Sequence, residues 1–272
     1  MGGDSLLQDA DPDPTEDDPG ASRPAVGLRD GATVLAVLVG SQILGGFGIA
    51  AAYGFFFVAT GGDATDSSGV RALQTVAMPV GIAGGMIASA LGLLAYGYWS
   101  LRGAERAARR RAVGAVRAPT LHLVVALATG ITLAVAYVVG IQLFWTPEPI
   151  VNPGPMTQMG TTPGWPQWTW ALLGLAFSPW IEEFVFRGQL LAALDAAWGR
   201  FAGATLTTLL FLGLHASELL GFPPGALGIT AMSLCALAAR RVSGSFWPAM
   251  FVHFGYNALL ASGVLIAGAV AR

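Results

Sequence analysis

Hydrophobic residues follow one another along most of this chain in long blocks, which short polar or proline-rich stretches separate. A membrane-spanning helix needs about 20 predominantly apolar residues, and seven blocks reach or approach that length. They cover roughly residues 31–60, 70–101, 119–145, 167–198, 201–217, 225–239 and 245–271. The pattern predicts an all-α fold, a polytopic transmembrane helical bundle of about seven spans, or eight if the last block divides near Ser262-Gly263.

The composition agrees with a membrane protein. With 54% hydrophobic residues, 11% charged residues and a mean hydropathy of +0.62 over 272 residues, the chain has too little polar surface to cover a soluble globule. The first two blocks also contain the glycine pairs Gly45-Gly46 and Gly84-Gly85. Because small residues let helix backbones approach closely in lipid, we interpret these glycines as part of a helix-packing face.

The acidic residues and the apolar blocks divide the chain into three regions. Seven of the sixteen acidic residues lie within the first eighteen positions, among prolines, and a segment of this composition buries too little apolar surface to fold. We therefore predict a disordered acidic tail over residues 1–29. Residues 30–166 then form an N-terminal part with three transmembrane helices and an external loop, and residues 167–272 form a core that carries the polar motifs.

The arginines predict the orientation of the bundle. Six arginines lie between positions 102 and 117, and Arg240 and Arg241 lie in a second short turn. Short loops rich in basic residues stay on the cytoplasmic side, so we place loop 102–117 in the cytoplasm and the proline-rich loop 146–166 outside. A polybasic loop can also attract acidic lipid heads or nucleic acid. The topological role is the better explanation, and we predict no nucleic-acid partner.

Three charged residues lie near the middle of the fourth apolar block: Glu182, Glu183 and Arg187. Ionised side chains at bilayer depth are costly unless they are paired or line a wet cavity, so this cluster indicates a functional site. Glu183 and Arg187 are four residues apart with the acid first, which suits an ion pair along one helix face. Glu182 points about 100° away from Glu183 and has no local partner, which suits it to proton transfer.

Polar residues on two further helices reach a similar depth. With a helical rise of about 1.5 Å per residue, Glu182 lies roughly 22 Å from the cytoplasmic end of its helix, His215 roughly 21 Å and His253 roughly 15 Å. Asn257 lies about 6 Å deeper than His253. Apolar packing does not require this agreement. We therefore expect the carboxylate and the two imidazoles to meet in one polar, hydrated cavity inside the membrane.

These residues form three motifs in sequence order, and the motifs resemble those of a known family. They are Glu182-Glu183-x-x-x-Arg187, Phe211-x-x-x-His215 and His253-x-x-x-Asn257. In this order, on successive apolar segments, they resemble the motifs of the CAAX prenyl protease and bacteriocin-processing (CPBP, Abi) family of intramembrane endopeptidases. The similar part covers roughly residues 168–260, and the residues before it resemble the family only in being transmembrane.

The resemblance implies an endopeptidase that hydrolyses a peptide bond in a water-filled cavity of a helical bundle. Glu182 would be the general base that activates water, with His215 and His253 assisting it. The implied partners are membrane lipid and a membrane-associated peptide or protein substrate. The implied location is the plasma membrane. Whether the substrate is prenylated stays open.

The other motif residues have supporting roles by the same resemblance. Glu183 and Arg187 would hold their helix in register, although a purely structural ion pair explains these two residues equally well. Asn257 would hold its partner or donate a hydrogen bond to the oxyanion as charge develops on it.

The resemblance leaves the role of a metal open. Glu182, His215 and His253 have the side-chain types of a catalytic zinc site with two histidines and one glutamate, and the second glutamate would then be the base. In the metal-free alternative, Glu182 and His215 polarise the water directly. The His-Glu-x-x-His signature of common zinc proteases is absent, so any such ligand set would come from three helices.

Two other classes of function fit a polar cluster inside a membrane. A proton-coupled transporter uses intramembrane Glu and His side chains to relay protons, although we find no inverted repeat that would support it. A non-catalytic immunity or scaffold protein of the same fold would bind a peptide without cleaving it. Replacing Glu182 with glutamine separates these classes, because only the protease loses cleavage while it still binds its substrate.

Overall fold

The structure is a computed structural model that describes residues 24–103, 105–145 and 154–270. All regular secondary structure within these ranges is helical, as predicted. Two π-helical turns, Leu173–Phe177 and Phe184–Leu190, flank α7. The α-helices, in chain order, are α1 (Leu28–Ala59), α2 (Ser67–Ser100), α3 (Arg106–Ala112), α4 (Thr120–Phe144), α5 (Pro155–Thr161), α6 (Trp165–Leu172), α7 (Ser178–Glu183), α8 (Leu191–Leu214), α9 (Ala216–Gly221), α10 (Gly225–Ser243) and α11 (Phe246–Val270).

Among the described residues, five helices are long and apolar enough to cross a membrane: α1, α2, α4, α10 and α11. They correspond to five of the seven predicted blocks, so the predicted number of spans is approximate. The fourth and fifth blocks are built differently. Helical structure continues from α6 to α8 through the two π turns, and α8 contains a break at Gly199.

Gly199 divides α8 at the predicted turn between the fourth and fifth blocks. Its φ of 81° and ψ of 166° lie in a region that residues with a side chain rarely adopt. The chain reverses direction there. The part of α8 that follows, residues 201–214, is about 21 Å long and is shorter than the roughly 30 Å of a bilayer core.

Contacts between distant segments place the arginine-rich turns at one end of the bundle, here called the arginine end. Arg109, on α3, forms an ion pair with Asp30 at the start of α1. Arg241 at the end of α10 forms an ion pair with Asp195, near Gly199. Ser245 donates a hydrogen bond to the carbonyl of Val116 over 2.7 Å. The loop 102–117 and the turn that carries Arg240 and Arg241 therefore share one end, as the alternation of the blocks predicts.

Arg240 connects two segments at the arginine end through hydrogen bonds. Its Nε donates to the carbonyl of Arg187 over 3.0 Å, and its Nη2 donates to the carbonyl of Ala112 over 2.8 Å. Gly114 passes close to the same guanidinium, where a Cβ would meet the Arg240 side chain at 2.7 Å, and its φ is 71°. Arg240 therefore joins the end of α3 to the second π turn.

Glycines bring the apolar helices into close contact. A Cβ on Gly45 would lie 3.1 Å from the carbonyl oxygen of Gly84, so the predicted packing face of these glycines lies between α1 and α2. A glycine also allows close contact between α4 and α11, since a Cβ on Gly130 would lie 2.0 Å from the carbonyl oxygen of Val252. Helices that approach this closely gain dispersion contacts that larger residues would prevent.

Several predicted boundaries need correction. Helix α1 begins at Leu28, so the last two residues of the predicted acidic tail are helical, while residues 1–23 lie outside the described part. Helix α11 runs unbroken from Phe246 to Val270, so the division near Ser262-Gly263 does not occur. The loop 102–117 contains α3, and the loop 146–166 contains α5. In each loop a stretch of seven residues forms a short helix despite the nearby glycines and prolines.

Candidate active site

Glu182 lies on α7, and only one of its two carboxylate oxygens accepts a hydrogen bond from a described residue. Ser178, four residues earlier on the same face, donates its hydroxyl to Oε1 over 2.5 Å. Oε2 is buried and has no hydrogen-bond partner among the described residues. It lies 3.8 Å from Nε2 of His215 and 4.0 Å from Nε2 of His253. The expected convergence of one carboxylate and two imidazoles from three helices is therefore present.

His215 lies at the junction of α8 and α9. Its Nδ1 is 2.9 Å from the carbonyl oxygen of Phe211, one turn earlier. Because a carbonyl oxygen only accepts hydrogen bonds, Nδ1 must carry the proton. The neutral ring therefore has its lone pair on Nε2, the atom nearest to Glu182. The His215 side chain is 23% exposed and the Glu182 side chain 12% exposed, so His215 is the more accessible of the two.

His253 on α11 lies between the two carboxylates. Its Nδ1 is 3.0 Å from Oε1 of Glu183, while its Nε2 points toward Oε2 of Glu182. Since the carboxylate of Glu183 accepts this hydrogen bond, Nδ1 is again the protonated nitrogen. The two histidines therefore share one arrangement, in which Nδ1 donates to a neighbouring group and Nε2 faces the free oxygen of Glu182.

Glu183 and Arg187 form the predicted ion pair, and both side chains are buried. Nη1 of Arg187 donates to Oε1 of Glu183 over 2.8 Å. Nη2 of Arg187 donates to both the hydroxyl and the carbonyl oxygen of Ser233 on α10, over 2.8 and 3.0 Å. The guanidinium also lies over the ring of Phe211, 4.5 Å from its centroid. These contacts join α7, α8 and α10 around one buried cation.

Asn257 lies one helical turn beyond His253, outside the immediate group of Glu182 and the histidines. Its Nδ2 donates to the carbonyl oxygen of Gly174 over 3.0 Å. Gly174 belongs to the first π turn, where the i→i+5 pattern disturbs the usual pairing of helix carbonyls. Asn257 therefore holds α11 against the segment that precedes α7.

Sequence reasoning did not single out three groups that complete the site. They are the hydroxyl of Ser178, the side chain of Ser233 and the main-chain carbonyl of Phe211. Ser178 could have been found, because it lies four residues before Glu182 and so on the same helix face. Ser233 carries no such signal, since its contact with Arg187 depends on how α10 packs.

The donor set has the chemistry of a zinc site but a wider spacing. Ligands at about 2.0–2.2 Å from a tetrahedral zinc ion lie about 3.3–3.6 Å from one another, whereas Oε2 of Glu182 lies 3.8 and 4.0 Å from the two Nε2 atoms. Within the described ranges, no group of three or more His, Cys, Asp or Glu side chains is placed so that it could hold a metal ion. Oε2 of Glu182 is therefore farther from the two ring nitrogens than the ligands of a zinc ion are from one another.

Two cavities lie against the opposite face of α7. One has a volume of about 600 Å³ and the other about 290 Å³, and Trp180 lines both. Glu182 and the two histidines line neither of them. A residue two positions along a helix points about 200° away, so Trp180 and Phe184 face away from Glu182. These cavities are therefore separate from the polar cluster.

Comparison with known protein families agrees with this geometry. Residues 163–259 match the family described as Rce1-like, type II CAAX prenyl endopeptidase Rce1-like. The predicted family resemblance is confirmed. The Rce1-like segment contains all six predicted site residues: Glu182, Glu183, Arg187, His215, His253 and Asn257. No curated protein and no solved structure matches the chain.

The match supports a protease of the CAAX type that works inside a membrane. Together with the five apolar helices, it makes this chain an integral membrane protein. The roles of individual residues rest on the geometry of the Rce1-like segment.

Proposed function

We propose that this protein is an intramembrane endopeptidase that hydrolyses a peptide bond of a membrane-associated peptide or protein, with Glu182 as the base. One observation carries the proposal. The free Oε2 of Glu182 is buried and faces the Nε2 atoms of His215 and His253 at 3.8 and 4.0 Å. Three polar atoms around so small a gap, inside an apolar bundle, suit the binding and activation of one water.

The hydrolysis then follows in two steps. Oε2 of Glu182 takes a proton from the water while the water oxygen bonds to the carbonyl carbon of the substrate, and the carbonyl oxygen takes the electron pair. When the tetrahedral intermediate collapses, the carbon–nitrogen bond breaks and the proton held by Glu182 passes to the leaving nitrogen. Ser178 fixes Oε1 and so keeps Oε2 directed at the water.

The two histidines have different roles in this proposal. A water has only two hydrogens and cannot donate to a carboxylate oxygen and two ring nitrogens at once, so one ring must carry a proton on Nε2. His253 is better suited, because its Nδ1 donates to the carboxylate of Glu183, which stabilises a charged ring. Its Nε2–H then donates to the developing oxyanion, while Nε2 of His215 orients the water.

Glu183, Arg187 and Asn257 act as positioning residues. The Glu183–Arg187 pair joins α7 to α10 through Ser233, and Asn257 joins α11 to the first π turn. The proposed mechanism uses only the side chains of the protein. A divalent metal such as zinc remains the alternative cofactor for Glu182, His215 and His253, where it would polarise the carbonyl and supply the hydroxide. We propose the plasma membrane as the location, with loop 102–117 in the cytoplasm.

Replacing Glu182 with glutamine tests this function. The purified full-length protein is incubated with a panel of membrane-anchored peptides in proteoliposomes, and the cleavage products are identified by mass spectrometry. We expect the Glu182→Gln variant to cleave about 10²–10⁴-fold more slowly while it retains peptide binding. Glu105→Gln is the matched control, because Glu105 is exposed and lies outside the Rce1-like segment.

Other outcomes would contradict the proposal. Cleavage at the wild-type rate in the Glu182→Gln variant would remove this residue from the mechanism. The protein would be a transporter if the wild type cleaves no peptide but carries protons into the same proteoliposomes, and if the Glu182→Gln variant abolishes this proton flux. Peptide binding without cleavage or flux in either protein would identify a scaffold.

A further inference from the structure

The larger cavity combines an apolar lining with a basic rim. It has a volume of about 600 Å³ and lies between the last turns of α2, the loop 102–117, α7 and the start of α11. A volume of this size is typical of small-molecule sites. Its apolar lining includes Leu93, Leu94, Trp180, Phe184 and Trp247.

Four arginines line the cavity at the arginine end: Arg102, Arg106, Arg110 and Arg117. None of them forms an ion pair with another described residue, whereas Arg109 and Arg241 are each paired with an aspartate. Arg102 lies over the ring of Tyr98, 4.7 Å from its centroid. The rim therefore has positive charge that no described carboxylate balances.

We infer that this cavity binds an anionic phospholipid, with its phosphate among the four arginines and an acyl chain along the apolar wall. Arginine guanidinium groups bind phosphate through paired hydrogen bonds, and basic residues next to transmembrane helices attract anionic head groups. The wall is open to the surroundings of the bundle, since Leu94 is 55% exposed and Tyr98 is 68% exposed. A bilayer lipid can therefore enter from the side.

The position of the cavity favours a resident lipid. It lies on the face of α7 that carries Trp180 and Phe184, whereas Glu182 faces the histidines on the other side. Phe184 packs edge-to-face against Phe246, with ring centroids 6.0 Å apart. A lipid in this position would fill the space between α2 and α11, and its binding does not depend on any cleavage reaction.

The test measures lipid binding by the full-length protein. The delipidated protein is titrated with phosphatidylglycerol or phosphatidylcholine that have identical acyl chains, and bound lipid is counted by native mass spectrometry. We expect the wild type to prefer phosphatidylglycerol. The Arg106→Gln/Arg117→Gln variant should lose about 30-fold in affinity for phosphatidylglycerol, since each arginine contributes about fivefold.

Two further variants separate a built site from general charge attraction. Arg71→Gln/Arg111→Gln removes the same charge from two exposed arginines that do not line the cavity, so it should bind phosphatidylglycerol as the wild type does. Leu94→Trp fills the apolar wall without changing the charge and should also weaken binding. Equal losses in both arginine pairs, or undiminished binding by Leu94→Trp, would overturn the inference, as would a wild type with no preference between the two lipids.

Discussion

Oε1 of Glu183 accepts hydrogen bonds from two helices, over 2.8 Å from Arg187 next to α7 and over 3.0 Å from His253 on α11. One buried oxygen thus connects the structural ion pair to a histidine of the proposed active site. The arrangement means that changes at Glu183 affect both the stability of the bundle and the orientation of His253.

Neutralising Glu183 should destabilise the protein strongly. The Glu183→Gln variant leaves Arg187 as a buried cation without its hydrogen-bonded counter-charge, and breaking a buried pair in this way costs about 3–5 kcal/mol. We expect a large fall in the thermal unfolding midpoint, measured in detergent by tryptophan fluorescence. The Glu183→Gln/Arg187→Gln double variant removes both charges and should be more stable than Glu183→Gln alone. Equal or lower stability of the double variant would show that the two charges are not coupled.

Ser178 should control the rate of cleavage more than the binding of substrate. The Ser178→Ala variant loses the hydrogen bond that the Ser178 hydroxyl donates to Oε1 of Glu182, and a hydrogen bond to a charged group contributes about 1.5–3 kcal/mol. We expect kcat to fall about 10- to 100-fold with little change in KM, measured with any peptide that the wild type cleaves. Ser178→Thr keeps a hydroxyl and should restore most of the rate. A change confined to KM would contradict a positioning role.

Zinc should not be a tightly bound constituent of the protein. Oε2 of Glu182 lies further from both Nε2 atoms than the ligands of a tetrahedral zinc ion lie from each other. We expect metal analysis of the purified protein to find less than one zinc per chain, and a chelator to leave cleavage unchanged. One zinc per chain that the His215→Ala variant loses would instead establish a metal site, and the histidines would then be ligands.

Two glycines of α4 should respond differently to the same substitution. A methyl group on Gly130 would lie 2.0 Å from the carbonyl oxygen of Val252, whereas a Cβ on Gly140 meets nothing within 4 Å. The Gly130→Ala variant has to push α11 away, and overpacking of this kind costs about 1–3 kcal/mol or more. Gly140→Ala should be neutral or slightly stabilising, by up to about 1 kcal/mol. Thermal unfolding of the two variants in one detergent compares them directly, and equal midpoints would contradict the close contact.

The hydrophobic blocks predicted the helices well where a block forms one regular helix. Helix α4 runs from Thr120 to Phe144, within one residue of the predicted block at each end, because a long apolar run in lipid must satisfy its own backbone hydrogen bonds. The convergence of Glu182, His215 and His253 was also predictable. The helical rise gives their depths in the membrane. Polar side chains in an apolar bundle face inward because exposure to lipid is costly.

Other features depend on packing that no local pattern reveals. The second π turn carries no periodic signal, since every position from Ile181 to Leu191 is buried. Apolar and charged residues are buried alike there. Ser233 contacts Arg187 only because α10 packs beside the second π turn at that height. The proline-rich loop also contains α5, whose start is held by Glu218, since its carboxylate accepts the N–H of Met156 over 3.1 Å.

The second π turn also accommodates one extra residue between the carboxylates and α8. A π turn holds one more residue than the α turn that it replaces. Deleting one residue from Phe184–Leu190 would turn it into an ordinary α turn, and the helix after it would keep its rotation, so Asp195 would stay beside its partner Arg241. The same deletion from the regular helix between Leu191 and Leu194 would rotate Asp195 by about 100° away from Arg241 although neither residue had changed.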